Sequence, residues 1–303
     1  MMEMTVLQQR ISALLPNIKV AFQEPMSRHT SFRIGGPAEV MAFPGNTGEL
    51  AQLLKLSREL NCPCSILGAG TNILAPDAGI SGLVICLKDA LDVLSQVDDT
   101  RIRVAAGVTM SRAAVYAAGL NLGGMEFAHG IPGTVGGAVY MNAGAYGGEM
   151  AMICESVDIM TPQGEVQTVA GADMGFSYRH SRLEDEGGIV LSAVFALTPR
   201  PGDEIREQMQ ELMRKRKASQ PLDLPSAGSA FKRPVGGFAA ALIDQAGLKG
   251  YRVGDAAVSE KHAGFVVNLG NATSEDVRTL LEQVSDKVWE LNGIRLEPEV
   301  RIW

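Results

Sequence analysis

Three residues with chemically useful side chains stand in short motifs that are far apart in the sequence. Arg179 lies in Gly175-Phe-Ser-Tyr-Arg-His-Ser181, and its planar, permanently charged guanidinium suits a carboxylate, although a surface salt bridge uses the same group. Ser229 follows a glycine but lacks the G-x-S-x-G turn of hydrolases, so a nucleophile is disfavoured and a solvated loop hydroxyl is the plain alternative. Glu299 stands in an otherwise apolar terminal segment, where exposure to solvent is the simplest alternative.

Glycine-rich segments offer backbone N–H groups in place of side-chain charge. The turn Leu67-Gly-Ala-Gly-Thr-Asn-Ile73 follows a predicted strand and could present successive N–H groups to an anion. It has neither the Lys-Ser/Thr ending of a P-loop nor a G-x-G-x-x-G pattern, so a mononucleotide kinase and a Rossmann domain are both unsupported. Taken alone, such a glycine turn is more often only a turn than a ligand site.

The segment from residue 119 to 148 is the most unusual part of the chain. It holds ten glycines, and Glu126 is its only formally charged residue. Within it, Gly130–Gly147 combines small residues with a single proline, which suits a bound diphosphate or a flat ring. Close packing between two elements is the structural alternative. The polar turn Thr30–Ala38 is a third candidate, although an ordinary β-turn would look the same.

The overall composition excludes several other classes of protein. The chain has 303 residues and a formal net charge of −7, so binding to nucleic acid through a basic surface is disfavoured. Its four histidines are scattered and Cys62-Pro-Cys64 lacks the spacing of common zinc sites, so we expect no bound metal. We expect the four cysteines to be buried thiols. The first ten residues show no secretory signal, and the uncharged stretch 127–148 contains too many glycines for a membrane helix, so a cytoplasmic protein is expected.

These motifs need a scaffold of mixed helices and strands. Strands are predicted at 38–43, 65–67 and 83–87, with a helix capped by Asn46, and hairpins at 93–106 and 156–169. A helix at 109–118 precedes the glycine-rich segment, and a further strand is predicted at 189–197. Beyond a charged helix at 203–218, Thr273 caps a helix that ends at Gly293, and residues 296–302 are predicted as a closing strand. The fold class is therefore α+β.

Taken together and in order, the six motifs resemble the UDP-N-acetylenolpyruvoylglucosamine reductases, also called UDP-N-acetylmuramate dehydrogenases. The resemblance spans about residues 25 to 303. It implies an FAD-binding fold of the vanillyl-alcohol-oxidase type, made of two subdomains, with a C-terminal α+β domain for the substrate. It also implies domains at 26–200, with halves at about 26–88 and 89–200, and at 201–291, preceded by a helical segment 1–25 and followed by a strand 292–303 that returns to the active site.

The resemblance also implies a reaction and a set of residues. NADPH would reduce FAD, which would pass hydride to the CH2 carbon of UDP-N-acetylglucosamine enolpyruvate; Ser229 would protonate C2, while Arg179 and Glu299 stabilise the enolate. Thr71 stands where related oxidases often carry a flavin-linking histidine, so FAD is expected to be non-covalent. Cofactor contacts are expected from Arg33, Gly35, Gly68, Ala69, Gly70, Thr71, Asn72, Gly130, Ile131, Pro132, Gly133, Thr134, Gly136, Gly137, Ala138, Asn142, Gly144, Ala145 and Val190. Substrate contacts are expected from Tyr178, Arg216, Lys217, Lys232 and Arg233.

Two departures from the longer members of the family qualify the resemblance. No insert with a substrate-covering tyrosine lies between Arg179 and Ser229, so the chain resembles the shorter class, and Arg233 stands where longer members have asparagine. Two alternatives remain open: another flavin oxidoreductase of the same fold, or a flavin- or nucleotide-sugar-binding protein without catalysis.

Overall fold

The computed structural model describes residues 5–303, which form an α+β fold. The helices are α1 (Val6–Leu14), α2 (Thr47–Glu59), α3 (Met110–Gly119), α4 (Val135–Tyr140), α5 (Leu183–Glu186), α6 (Gly202–Ser219), α7 (Ala239–Gln245) and α8 (Ser274–Asn292), with short 3₁₀ helices at Met26–Arg28, Glu126–Ala128, Met150–Met152 and Gly171–Met174. The strands up to the end of the glycine-rich segment are β1 (Lys19–Pro25), β2 (Pro37–Phe43), β3 (Cys64–Leu67), β4 (Ile73–Leu74), β5 (Ile80–Cys86), β6 (Leu94–Gln96), β7 (Arg101–Ala105), β8 (Leu122–Gly123), β9 (Gly144–Ala145) and β10 (Gly148–Glu149). The later strands are β11 (Cys154–Met160), β12 (Val166–Ala170), β13 (Ile189–Ala196), β14 (Thr198–Pro199), β15 (Ser226–Ser229), β16 (Arg252–Val253), β17 (Ala256–Val258), β18 (Phe265–Asn268) and β19 (Arg301–Ile302).

The chain divides into two compact units, each made of several segments. The first unit comprises the described residues up to Phe22 together with Val40–Ala69 and Gly82–Lys215; the second comprises Gln23–Glu39, Gly70–Ser81 and Arg216–Trp303. The sequence predicts contiguous domains at 26–200 and 201–291, whereas these units are discontinuous. The segments 23–39 and 70–81 join the C-terminal residues because Phe32, Ile34 and Leu74 are buried in the C-terminal core.

Two larger sheets lie mainly in the first unit, which also contains the two-stranded sheets β10-β9 and β14-β8. One has the strand order β1-β2-β5-β3, in which β3 and β5 run parallel with Cys64 opposite Leu83. The other is antiparallel with the order β12-β11-β13-β7-β6, and it contains both of the predicted hairpins. Local signals set the helices of this unit, since the side chains of Asn46 and Thr109 accept the N–H groups that α2 and α3 leave unpaired.

The second unit has a four-stranded antiparallel sheet, β15-β18-β17-β16, covered by α8. Thr273 and Asp276 form the capping box that begins α8, and Gly293 ends the helix in the left-handed conformation. The Asp77 carboxylate also accepts the N–H groups of Ser274 and Glu275, at 2.8 and 3.2 Å. This pair of bonds fixes the segment 70–81 against the helix.

The predicted closing strand at 296–302 is largely wrong. Only Arg301 and Ile302 form a strand, which pairs in parallel with β4, and the preceding residues make single backbone bonds to a loop. Pro298 has no N–H group and therefore cannot continue a ladder.

The cysteine prediction is confirmed only in part. All four cysteines are free thiols, but Cys62 and Cys64 are half-buried, whereas Cys86 and Cys154 are buried as expected. The segment predicted as helical at 1–25 contains α1 but also the strand β1, which occupies Lys19–Pro25, while its residues 1–4 lie outside the described residues. Among residues 5–303, no helix is both long and apolar enough to cross a bilayer.

Candidate active site

In the first unit, two glycine segments lie directly against each other. The strand β3 ends at Leu67, and a Cβ atom added to Gly68 would lie 2.6 Å from the Oγ1 of Thr134. Thr134 is buried, and its Oγ1 accepts the N–H of Gly137 at 3.4 Å, which caps α4. Glycine is therefore required at residue 68 because any larger residue would displace this cap.

Burial also fixes the protonation of the thiol beside this turn. Burial raises the pKa of Cys86, although the backbone and charge of Lys88 oppose the change. The protonated thiol points at the Gly68 carbonyl oxygen, with Sγ 3.9 Å away. It helps to hold the turn without adding a negative charge at a place suited to an anion.

These contacting segments form a cradle that suits a diphosphate. Within the described part of the chain, the backbone N–H groups of Gly68, Ala69, Gly133 and Thr134 donate to no protein acceptor. Since their neighbours Val135 and Gly136 do pair, with the carbonyls of Val108 and Ala106 at 2.8 and 2.9 Å, the backbone around these four donors is firmly held. Preorganised N–H groups without competing side chains are what an anionic cofactor requires. We call these four residues the diphosphate cradle.

The rest of the glycine-rich segment packs closely on the first unit. At Gly136 an added Cβ would lie 2.9 Å from the Cβ of Ala106, and at Gly144 it would lie 2.7 Å from the Gly148 oxygen. Ala138 is buried and Gly137 exposed, whereas Gly130, Ile131 and Ala145 are half-buried and Pro132 is exposed. Val190 differs from these residues, because it lies in the buried core of β13, opposite Ile159.

Arg179 joins the glycine-rich segment through Asn142. The buried Asn142 amide donates to the Ser177 carbonyl at 3.0 Å and accepts the Ala151 N–H at 2.9 Å. Ser177 and His180 pair across a tight turn with Arg179 at its tip, at a φ of 58°. The Arg179 guanidinium lies 3.4 Å from the Gly144 oxygen and 5.1 Å above the exposed ring of Tyr178. The cofactor contact predicted for Asn142 stays a prediction, and its amide also holds the turn that carries Arg179 in place.

In the second unit, the loop that carries Ser229 (residues 228–234, the serine loop) lies beside the terminal segment (residues 296–301). The N–H of Glu299 donates to the Ala230 carbonyl at 2.9 Å. Phe231 and Pro298 pair in an isolated antiparallel β-bridge. Ser229 ends β15 opposite Phe265, and its side chain is exposed. Two of the three predicted catalytic residues thus stand on neighbouring hydrogen-bonded segments, while Arg179 belongs to the first unit.

The cofactor residues predicted in the second unit form a compact set of turns. Gly70 has a φ of 62°, and an added Cβ would lie 2.0 Å from the His29 oxygen. Gly35 has a φ of 124°, and a Cβ atom added to it would lie 2.6 Å from the Cβ of Ala75. Arg33 is exposed with a φ of 56°, and Thr71 is half-buried. Asn72 donates through its side chain to the Glu299 carbonyl at 3.1 Å.

The basic residues predicted for the substrate fall into two groups. Arg216 and Lys217 lie near the end of α6; Arg216 is buried and donates to Gln220 at 3.1 Å, while Lys217 is exposed. Lys232 contacts the Glu297 carboxylate beside the serine loop. Arg233 is exposed and lies 4.6 Å above the Phe238 ring. Glu297 and Phe238 were not predicted as neighbours, because only the folded loop brings them to these cations.

Family models match both parts of the chain. The model described as UDP-N-acetylenolpyruvoylglucosamine reductase, C-terminal domain, matches residues 220–303, and the FAD binding domain model matches residues 38–170. The second match contains the diphosphate cradle.

Relatives with the same name match nearly the whole chain. The UDP-N-acetylenolpyruvoylglucosamine reductase of Streptococcus pneumoniae strain 70585 is 46% identical, covering 97% of this chain and 97% of the relative. That of Agathobacter rectalis is also 46% identical and covers 96% of each. The crystal structure of the reductase from Thermus caldophilus is similar with a TM-score of 0.80 and 36% identity, over 95% of this chain and 99% of that one.

Proposed function

Because the chain belongs to the UDP-N-acetylenolpyruvoylglucosamine reductase family, we propose that it uses NADPH and FAD to convert UDP-N-acetylglucosamine enolpyruvate into UDP-N-acetylmuramate. It is an oxidoreductase of peptidoglycan synthesis with FAD as its cofactor. Non-covalent FAD, NADPH as the reductant, a cytoplasmic location and the roles of individual residues are the finer parts of the proposal. The observation that carries it is the pairing of the Ser229 and Glu299 segments through the bond from the Glu299 N–H to the Ala230 carbonyl.

The residues of the first unit fit the flavin cofactor. The diphosphate cradle supplies four backbone donors with no side-chain charge beside them, and the Gly68–Thr134 contact leaves no room for a larger residue. When bound, FAD would supply the chemistry of hydride transfer from NADPH to the enolpyruvyl CH2 carbon. The cradle would hold and orient the diphosphate. Thr71, two residues after Ala69, has no ring nitrogen through which the flavin could be linked as it is to a histidine.

The protein's other task is to stabilise charge and move one proton. Hydride addition at the CH2 carbon pushes electron density onto the substrate carboxylate. Arg179 would neutralise that charge, and Glu299 in its protonated form would donate a hydrogen bond to the same carboxylate, so that both groups would stabilise the developing charge. Ser229 would give its hydroxyl proton to C2. A serine is a weak acid, so it would act here only if the strongly basic enolate carbon met a hydroxyl held at a fixed position.

Anaerobic half-reactions test the proposal. The purified protein should be yellow, NADPH should bleach its flavin absorbance near 450 nm, and the enolpyruvyl UDP-sugar should restore the colour without oxygen. Restoration by oxygen alone would favour another flavin oxidoreductase of this fold. A yellow protein inert to NADPH would instead favour a binding protein without catalysis.

A further inference from the structure

The backbone of Glu299 is hydrogen-bonded on both sides, and the two bonds come from different segments. Its N–H donates to the carbonyl of Ala230 at 2.9 Å, and its carbonyl accepts the side-chain amide of Asn72 at 3.1 Å. Asn72 also accepts the Arg301 N–H through its own carbonyl at 3.0 Å. One asparagine therefore holds the terminal segment at Glu299 and again two residues later.

No regular strand pairing reaches Glu299. The ladder between β19 and β4 begins only at Arg301, opposite Ile73. On the other side, the segment meets the serine loop through an isolated bridge at Pro298, which has no N–H group of its own. The bond from Asn72 is therefore a side-chain restraint on the Glu299 backbone at a point that no ladder reaches.

From this geometry we infer that Asn72 is a positioning residue for Glu299, one that aligns its carboxylate for the step in which the enolpyruvyl carboxylate gains charge. The inference rests on the proposed function. Asn72 was predicted from the sequence to contact the cofactor, and a direct FAD contact is the competing role. The two roles affect different half-reactions, because Glu299 is assigned to the sugar substrate and not to NADPH.

Two substitutions remove the bond in different ways. Asn72→Asp keeps the shape of the side chain but sets a carboxylate oxygen against the Glu299 carbonyl, and Asn72→Ser is too short to reach it. Asn292→Asp, at the exposed end of α8 in the same unit, is the matched control for added charge. Each holoenzyme is assayed anaerobically for flavin reduction by NADPH and for reoxidation by the enolpyruvyl UDP-sugar.

A positioning role predicts a selective defect. Reoxidation should slow by roughly ten- to a hundredfold in both Asn72 variants, the loss expected when a catalytic group is misplaced by about an ångström. Flavin reduction and the Kd for FAD should stay within about twofold of the wild type, and Asn292→Asp should match the wild type in every measurement. Backbone hydrogen exchange of the flavin-free protein gives a readout that does not depend on turnover, and it should be faster over residues 297–303 in both Asn72 variants.

Contrary outcomes separate this inference from the proposed function. Unchanged reoxidation in both variants would overturn the positioning role, as would equal losses in reduction, reoxidation and FAD affinity, which would assign Asn72 to the cofactor. Unchanged exchange over residues 297–303 would overturn it as well. If the wild-type flavin itself were not reoxidised by the enolpyruvyl UDP-sugar, the proposed function would fail and the inference with it.

Discussion

Replacing Gly68 with alanine should weaken FAD binding by closing the diphosphate cradle. The backbone of Gly68 is not in the left-handed region, so the alanine is conformationally tolerated and only its contacts matter. Its Cβ would lie 2.6 Å from the Thr134 Oγ1, a separation that forces one of the two segments to move. The cap that Thr134 provides to Gly137 would then be strained or lost.

The magnitude follows from these contacts. Losing a threonine cap costs about 0.5–2 kcal/mol, and crowding a packed site costs about 1–3 kcal/mol, so the free energy of unfolding should fall by roughly 1.5–5 kcal/mol if both costs apply in full. If one bond to the diphosphate is also lost, about 1.5–3 kcal/mol of binding free energy disappears. That loss corresponds to roughly a 10- to 100-fold higher Kd for FAD.

The assay is titration of the flavin-free protein with FAD, followed by flavin fluorescence, together with thermal unfolding. The control is Gly119→Ala at the end of α3, where an added Cβ meets no atom within 4 Å. That variant should bind FAD as the wild type does and change stability by less than about 1 kcal/mol. A Gly68→Ala protein with wild-type affinity and wild-type Tm would refute the reasoning.

Other consequences of the structure can be tested in the same way. Burial alone would raise the pKa of Asp158, but hydrogen bonds from Thr168 and Ser192 and the charge of Arg103 hold that pKa below its ordinary value. The carboxylate therefore stabilises the fold above the pKa of the unfolded chain, and this stability is lost as the pH falls through the lower folded value. Asp158→Asn should lower the Tm at pH 7 by an amount equivalent to about 1 kcal/mol or less, and this difference should shrink in unfolding experiments below about pH 4. Burial raises the pKa of Cys154 to about 12 and that of Cys64 to about 11, so in the native protein at pH 8 both should react far more slowly with a disulfide reagent than in denaturant; equal rates in the two conditions would contradict this. Arg233→Ala should raise the KM for the UDP-sugar far more than that for NADPH in steady-state assays, and an unchanged UDP-sugar KM would remove this residue from the diphosphate site.

The elements that the sequence predicts well are those with local signals. The helix α8 is confirmed from the Thr273 cap to the terminating Gly293, and α2 begins after Asn46 as expected. Both hairpins are confirmed, because turn residues separate their apolar strands. The strand at 296–302 is wrong because its partners lie elsewhere in the sequence, and alternation alone does not reveal that most of these residues form single bonds instead of a ladder.

In the candidate site, too, local features are predicted from the sequence and contacts between distant residues are not. Motif composition predicts that Gly68 and the later glycine-rich segment offer backbone donors, but not that Gly68 touches Thr134. Nor does spacing predict that Asn142 bonds the Ser177 carbonyl, 35 residues away, or that Asn72 bonds Glu299, 227 residues away. Each of these bonds joins a side-chain amide to the main-chain oxygen of a distant residue. Because every residue has such an oxygen, the type of the accepting residue does not help to predict the bond.

Several residues of the candidate site hold a strained backbone conformation. Residues other than glycine rarely adopt a positive φ, and holding one there costs of order 1–3 kcal/mol. Eight of the described residues other than glycine do so. Arg33, Asn142 and Arg179 lie in candidate site motifs, at 56°, 43° and 58°, as does Tyr146, whereas Gln23, Asn61, Asp89 and Asn121 lie outside them. At Arg179 glycine would relieve the strain, yet it would also remove the guanidinium. The strain is tolerated because Asn142 bonds the base of the turn, so stability gained from a buried amide is used to hold a cation at the tip of a two-residue turn. A site designed for stability alone would not place arginine there, whereas one that must present a positive charge at a fixed point requires both residues.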